Sequence, residues 1–306
     1  RSAIYDLRQR FPAPLVPRRR RREVTERMLA DGSIDTILDK DQALATLREL
    51  TAEGVTSVAI CLIHSYANPA HEQAIAQLVF DYNLPLDVSL SSEVLPEIQE
   101  FERTATTVIN AYVRPKVSTY LGRMEDRLRR DGYTRSLLLM QSGGGVIAAP
   151  AARAAPVRLA ESGPVGGALA ARTLAKAAGY SDAIAFDMGG TTAKTCLIVD
   201  GEMPVTRNYE VDRVHRFKRG SGTPIAVPTV DLIEIGAGGG SIAQVDALGL
   251  IQIGPESAGV DPGPACYGHG GTGATVTDAN VVLGYLDPVD FLDGTMQLDI
   301  KAAEKA

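Results

Sequence analysis

Phe186-Asp187-Met188-Gly189-Gly190-Thr191-Thr192-Ala193-Lys194 is the stretch from which the rest of the chain is best read. Ala183–Asp187 is a short apolar run ending in an acid, and Ala193–Val199 is a second strand-forming run. Two glycines and two threonines lie between them, which predicts a strand, a tight turn and a returning strand. Such a turn can offer backbone N–H groups to an anion, because glycine places no Cβ in the way; threonine hydroxyls add donors. Asp187 stands where a carboxylate holds a hydrated Mg²⁺ or orients a nucleophile. The pattern differs from G-x-x-x-x-G-K-[ST], which leads from a strand into a helix. A plain hairpin closed by Gly-Gly explains the same residues without any ligand.

Further along, Ile233-Glu234-Ile235 runs straight into Gly236-Ala237-Gly238-Gly239-Gly240-Ser241. A loop so poor in side chains can accept a flat base or a ribose. The chain holds 30 glycines, and other clusters occur at Gly143–Gly145, at Gly163 with Gly166 and Gly167, and at Gly268–Gly273. Each lies beside an apolar segment, unlike a mixed Gly/Ser linker. For each cluster alone, a tight turn is an equally good reading.

Leu44, Leu47 and Leu50 keep a helical spacing after Asp39, with Gly54 as a stop. Val55–Ile63 reads as a buried strand, Asn68-Pro69 opens a helix with Ile75, Leu78 and Val79 on its inner face, and Leu86–Leu90 is another strand. This alternation predicts a parallel sheet with crossover helices. A long helix follows to about Arg130, with Val117, Tyr120, Leu121, Met124 and Leu128 as its stripe and Pro115 kinking or dividing it. Ser136–Met140 is a strand, and a helix begins near Gly163. Asp200-Gly201 signals a second hairpin. Val211–Pro224 reads as a loop, Asp231–Ile235 as a strand, Ile242–Ile253 as β-rich, Gly254–Gly273 as a loop, and a helix starts near Asp278. A domain boundary is expected near residue 180.

The charge of −6 and pI near 5.4 argue against a general nucleic-acid binder. No apolar run reaches the roughly 20 residues that cross a membrane. Cys61, Cys196 and Cys266 are widely separated, as in a reduced, cytoplasmic protein. The run Arg18–Arg22 suits a solvated strand edge or an interface, with phosphate as the alternative. Cys266 and His269 are two potential zinc ligands, too few for a site. His64 and His71 follow the first strand, where ligands often bind, although local structural roles suit them better. Cys61 reads as buried and inert. Asp278 can be a helix cap or an active-site acid.

Taken together, an Asp-x-Gly-Gly-Thr hairpin and a later Gly-x-Gly-Gly-Gly loop resemble the layout of actin-like ATPases and sugar kinases. More specifically, the chain resembles the hydantoinase A/5-oxoprolinase family, N-methylhydantoinase A-like, related to the ATP-binding subunits of acetone and acetophenone carboxylases. The resemblance runs through Cys61–Glu72, Glu102-Arg103, Asn110–Tyr112, Gln141–Gly145, Glu161–Gly167, Asp187–Thr192, Glu234–Ala243, Gly254–Gly259, Asp261–Gly268 and Thr275–Asn280. Many family members carry a second acid in the hairpin, where this chain has Thr192-Ala193-Lys194. Members also begin with another Gly-Gly-Thr hairpin, absent here, so the resemblance implies an internal fragment.

The implied fold is α/β: an actin-like ATPase (ribonuclease H-like) two-domain architecture, incomplete at both ends. Residues 1–180 would be the remainder of the first domain and 181–306 the second. The implied activity is ATP- and Mg²⁺-dependent hydrolysis of a cyclic amide or imide, with a hydantoinase B-type partner subunit. A ketone carboxylase subunit, a sugar- or acetate-kinase-like phosphotransferase and a non-catalytic nucleotide-binding subunit are the alternatives. The implied site is Asp187, Thr192 and Lys194 for catalysis, with Asp187 also for metal. Gly189, Gly190 and Thr191 would serve phosphate, and Gly236, Gly238, Gly239, Gly240 and Ser241 the nucleoside.

Overall fold

The computed structural model describes residues 12–207, 209–214 and 219–306. It shows a mixed α/β chain that divides into two units, Arg1–Val165 with Val205–Val230 and Gly166–Pro204 with Asp231–Ala306. These units do not follow a single cut near residue 180.

In the first unit, a 3-10 turn at Arg18–Arg20 precedes the short hairpin β1 (Arg27–Met28) and β2 (Ile34–Thr36). The arginine run is therefore a turn and not a strand edge, and Arg22 pairs with Glu53. Helix α1 (Lys40–Ala52) starts where the Asp39 carboxylate accepts from Gln42 N at 2.9 Å, a side-chain cap for an otherwise orphaned donor. Leu44, Leu47 and Leu50 are buried as their spacing predicts. Strands β3 (Ser57–Ile60) and β4 (Asp87–Leu90) pair in parallel, and α2 (Ala70–Asp81) makes the crossover between them. Leu47, Val58, Ile60, Ile75, Val79 and Leu90 share their core.

After α3 (Ser91–Val94) comes α4 (Glu100–Arg130), which runs through Pro115 undivided. Proline deprives the carbonyl four residues earlier of its helical donor. That carbonyl, Ala111 O, accepts instead from Ser57 Oγ at 2.7 Å. The expected apolar stripe holds only in part, for Leu121 is 1% exposed but Tyr120 is 59% exposed. The first half of α4 buries polar residues: Arg103, Thr106, Thr107 and Asn110. Nearby, fully buried Glu72 accepts from Leu62 N (2.9 Å), Ser91 Oγ (2.6 Å), Ser92 N (2.9 Å) and Ser92 Oγ (2.7 Å). Strands β5 (Leu138–Met140) and β6 (Val146–Ala148) form a hairpin, followed by α5 (Ala149–Ala154) and α6 (Ser162–Ala177). The first glycine cluster is thus a β-turn region.

The second unit takes up most of α6 and then the hairpin β7 (Ala183–Met188) and β8 (Ala193–Ile198). Asp200 and Gly201 take left-handed φ of 52° and 75° in the turn between Val199 and Glu202. The chain then returns to the first unit, where β9 (Val205–Thr206) pairs with β12 (Thr229–Val230) and β10 (Tyr209–Val211) with β11 (Thr223–Ile225). The expected loop at Val211–Pro224 is thereby the end of a hairpin, with residues 215–218 outside the described part. Back in the second unit, β13 (Ile233–Ile235) adds to β8, giving the strand order β13-β8-β7. Strands β14 (Ser241–Val245) and β15 (Ile251–Ser257) form a separate antiparallel pair. A small core of Cys266, Val281, Leu298 and Ala303 joins the 3-10 turn Ala265–Tyr267 to α7 (Val276–Val282) and α8 (Ile300–Lys305). No helix of the described residues is long and apolar enough to cross a membrane.

Candidate functional site

The hairpin turn and the glycine loop, far apart in sequence, are bonded to each other within the second unit. Gly189 N donates to Thr192 O at 3.0 Å and closes the turn. Gly239 N then donates to Gly189 O (2.9 Å) and Gly240 N to Gly190 O (2.8 Å). Backbone lies directly on backbone, and this explains the loop's composition. A Cβ at Gly238 would stand 2.6 Å from Gly189 O and 2.7 Å from Thr191 N. One at Gly239 would meet Thr277 Oγ1 at 2.8 Å, and one at Gly240 Ser257 Oγ at 2.8 Å. Gly236 lies at the end of β13, its carbonyl 3.3 Å from where a Cβ of Gly254 would be. Ser241 is buried, and its hydroxyl accepts from Gly238 N at 2.9 Å, closing the loop on itself.

The turn glycines differ. Gly189 and Gly190 are exposed, neither has φ in the left-handed region, and nothing lies within 4 Å of a Cβ at Gly190. The fold thus does not itself demand glycine at 190. Among the described residues no acceptor faces the N–H of Gly190, Thr191 or Thr192. Three successive backbone donors without a described acceptor fit an oxyanion such as a phosphate.

The sheet supplies charge next to this turn. Asp187 on β7 pairs with Lys194 on β8, and Lys194 pairs with Glu234 on β13. Directly opposed residues of antiparallel strands share a face, so the three form one row, acid–base–acid, a rung away from the turn. Asp187 and Glu234 are exposed and Lys194 half-buried. A Cβ at Gly167 of α6 would lie 3.8 Å from Asp187 Oδ2. Farther along the same face, Ala185, Cys196 and Ile198 are buried. A carboxylate beside an anion cradle is a suitable holder for hydrated Mg²⁺, and an ammonium suits phosphate charge. Glu234 is the member that sequence reading missed as a site residue. Strand alternation could have set it apart from Ile233 and Ile235, but only register places it beside Lys194.

Behind the loop stands α7. Thr277 N (2.8 Å) and Thr277 Oγ1 (2.9 Å) both donate to Gly239 O. Thr275 caps α7, and Asp278 answers it in a capping box. The buried Asp278 carboxylate also accepts from Cys266 N (2.8 Å) and Ala265 N (3.3 Å). Burial pushes its acidity the other way, yet these amides and the Thr275 hydroxyl hold the carboxyl below the usual range. Asp278 is therefore a brace within the helix's first turn. Burial, and then Asp278, push the Cys266 thiol up to about 12. Among the described residues no three potential ligands gather for a metal, and His269 makes an edge contact with the Tyr267 ring. In the first unit His64 Nδ1 lies 3.1 Å from Tyr66 Oη, and His71 Nδ1 2.8 Å from Glu26. Burial and Glu72 push the Cys61 thiol up to about 12.

Residues 103–306 match the hydantoinase/oxoprolinase family profile, and residues 1–82 match the hydantoinase/oxoprolinase N-terminal region. The chain belongs to the hydantoinase/oxoprolinase family. Within that family it is 36% identical to the caprolactamase subunit alpha of Pseudomonas jessenii over 94% of this chain and 40% of that protein. It is also 36% identical to the acetophenone carboxylase gamma subunit of Aromatoleum aromaticum, over 97% of this chain and 40% of that one. The nucleotide-free structure of acetone carboxylase, an ATP-dependent carboxylating enzyme, superposes with a TM-score of 0.77 at 30% identity, covering 96% of this chain and 41% of that one. The hydantoinase/oxoprolinase chain in hand thus spans well under half the length of these relatives.

Proposed function

We propose that this chain is the ATP-using part of an enzyme that hydrolyses a cyclic amide or imide, and that it binds Mg·ATP at the Gly189–Thr192 turn. In this reading the second unit, Gly166–Pro204 with Asp231–Ala306, is an actin-like nucleotide-binding domain. The carrying observation is Gly190, a glycine that neither backbone conformation nor packing requires, set among three backbone N–H groups without a described acceptor. These amides would hold phosphate oxygens, Asp187 would hold the Mg²⁺ that accompanies them, and Lys194 would balance phosphate charge. When bound, ATP would supply a γ-phosphoryl group to the amide oxygen, which makes the amide carbon electrophilic enough for water to add. The ring C–N bond then breaks with nitrogen leaving as the protonated amine, and the resulting acyl phosphate is hydrolysed to carboxylate and inorganic phosphate. The protein's own share is position and charge stabilisation.

The lactam reading draws on the likeness to a caprolactamase subunit. Equal identity to an acetophenone carboxylase subunit supports ATP-dependent ketone carboxylation as the second reading. Both relatives are subunits by name, which supports a hydantoinase B-type partner here. Calorimetry of Mg·ATP with the full-length polypeptide carrying this sequence tests the site. Binding that disappears in Asp187→Ala, with the fold retained, supports it; wild-type protein that binds no nucleotide overturns it. Phosphate release, screened with the partner subunit over lactams and cyclic imides against ketones with bicarbonate, separates the two reactions.

A further inference from the structure

We infer that Asp278 is a positioning residue of the phosphate turn: through α7 and the glycine loop it sets the direction of the Gly190 and Thr191 N–H groups. This rests on the nucleotide reading above and gives Gly236–Ser241 a task other than contact with a nucleoside.

A trans peptide is planar, and its N–H points opposite to its C=O. Whatever holds the carbonyl of one residue therefore aims the amide of the next. Gly239 N donates to Gly189 O at 2.9 Å, and Gly240 N to Gly190 O at 2.8 Å. These two bonds fix the peptide planes that join Gly189 to Gly190 and Gly190 to Thr191. They turn the N–H groups of Gly190 and Thr191 away from the loop. Neither has an acceptor among the described residues, as expected of donors preorganised for an oxyanion.

That direction is only as firm as the loop, which is tied down at two points. The Gly239 carbonyl accepts from Thr277 N at 2.8 Å and from Thr277 Oγ1 at 2.9 Å. Just beyond the loop, Ala243 N donates to Ala274 O at 2.8 Å. Both ties end on one short segment, Ala274–Thr277, and the Asp278 carboxylate clamps that segment. It accepts from Thr275 N (2.9 Å) and Thr275 Oγ1 (2.7 Å), and reaches across to Cys266 N (2.8 Å). Hydrogen bonds to an ionised acceptor are roughly twice as strong as neutral ones, and Asp278 is shielded from water. The chain of bonds runs unbroken from this carboxylate to the turn, all of it within the second unit.

The test pairs calorimetry of Mg·ATP with hydrogen–deuterium exchange, both on the full-length polypeptide. Asp278→Asn keeps the side chain's shape and removes its charge. It should speed exchange of the Gly239 and Gly240 amides. It should also weaken Mg·ATP on the order of tenfold, the scale of one hydrogen bond to a charged group. Leu298→Ala is the control, for Leu298 packs in the same small core as Cys266 and Val281 and makes none of these bonds. Its melting temperature should fall, while its affinity and loop exchange stay as in wild type. Should Asp278→Asn fail to fold, Thr275→Val removes only the hydroxyl bonded to that carboxylate. It should give the same two changes, with affinity down about threefold. Faster loop exchange with affinity untouched would reduce the loop to packing and overturn the inference. Lost affinity with loop exchange unmoved would overturn it too, as would an equal loss in Leu298→Ala. A wild type that binds no nucleotide sinks the nucleotide reading first and this one with it.

Discussion

Among the described residues, two glycine-rich hairpin turns, one in each unit, use glycine for different reasons. At Gln141–Gly145, between β5 and β6, the protein itself accounts for its glycines. Gly144 has φ of 87°, a Cβ at Gly143 would stand 3.2 Å from Pro228 O, and one at Gly145 2.8 Å from Gln141 Nε2. At Gly189–Thr192, between β7 and β8, Gly190 has neither a left-handed φ nor a neighbour within 4 Å of a Cβ. A glycine explained by its own fold says nothing of ligands. Gly190, which neither φ nor packing explains, is where the proposed phosphate would approach, and the two turns become control and test for each other.

The largest effect separates loop from turn. Gly238→Ala puts a methyl 2.6 Å from Gly189 O, against backbone on both sides, so the loop must move off the hairpin. Overpacking of this kind costs about 3 kcal/mol. Urea unfolding should show it, with nucleotide binding lost as well. A variant as stable as wild type would mean that the loop does not rest on the turn.

Gly190→Ala is the counterpart. Its methyl enters open space at an ordinary φ, so the melting temperature should hold or rise slightly. Nucleotide affinity should fall on the order of a hundredfold, because the methyl stands where phosphate oxygens meet charge-assisted donors. Unchanged affinity would erase the distinction between the two turns. The control is Gly144→Ala. An alanine forced to φ near 87° is strained by about 1–2 kcal/mol, which chemical denaturation should report while Mg·ATP binding stays as in wild type.

That contrast also explains what could be read from the sequence. Strand–helix–strand alternation around Val55–Leu90 gave the parallel pair, because Val58, Ile60, Ile75 and Val79 repeat an apolar pattern. Asp200-Gly201 was legible because left-handed φ selects those residues. The buried face of α4 was not, since Arg103, Thr106, Thr107 and Asn110 are polar and a hydrophobic period passes over them. Nor was the undivided helix at Pro115, where Ser57, distant in sequence, replaces the missing donor. At the site, Gly189 to Thr192 stood out as a motif, and Lys194 with Asp187 as neighbours across one turn. Glu234 needed the register of a third strand. The glycine loop looked like a surface for a nucleoside, whereas its packing against Gly189, Thr191, Thr277 and Ser257 already accounts for Gly238, Gly239 and Gly240.

The smallest expected effect probes that last point. Thr277 touches the turn only through the loop: its hydroxyl and its amide both donate to Gly239 O, whose own N–H holds Gly189 O. Thr277→Val keeps shape and the backbone bond and removes one hydroxyl donor, a loss of about 0.5–1 kcal/mol. If the loop orients the turn, that loss should surface as a two- to fivefold weaker ATP affinity, and Thr277→Ser should recover it. If the loop serves only as packing, the same loss should appear in the urea midpoint alone, with affinity untouched. The division of one small free energy between stability and binding then decides whether Gly236–Ser241 belongs to the site or merely lies beneath it.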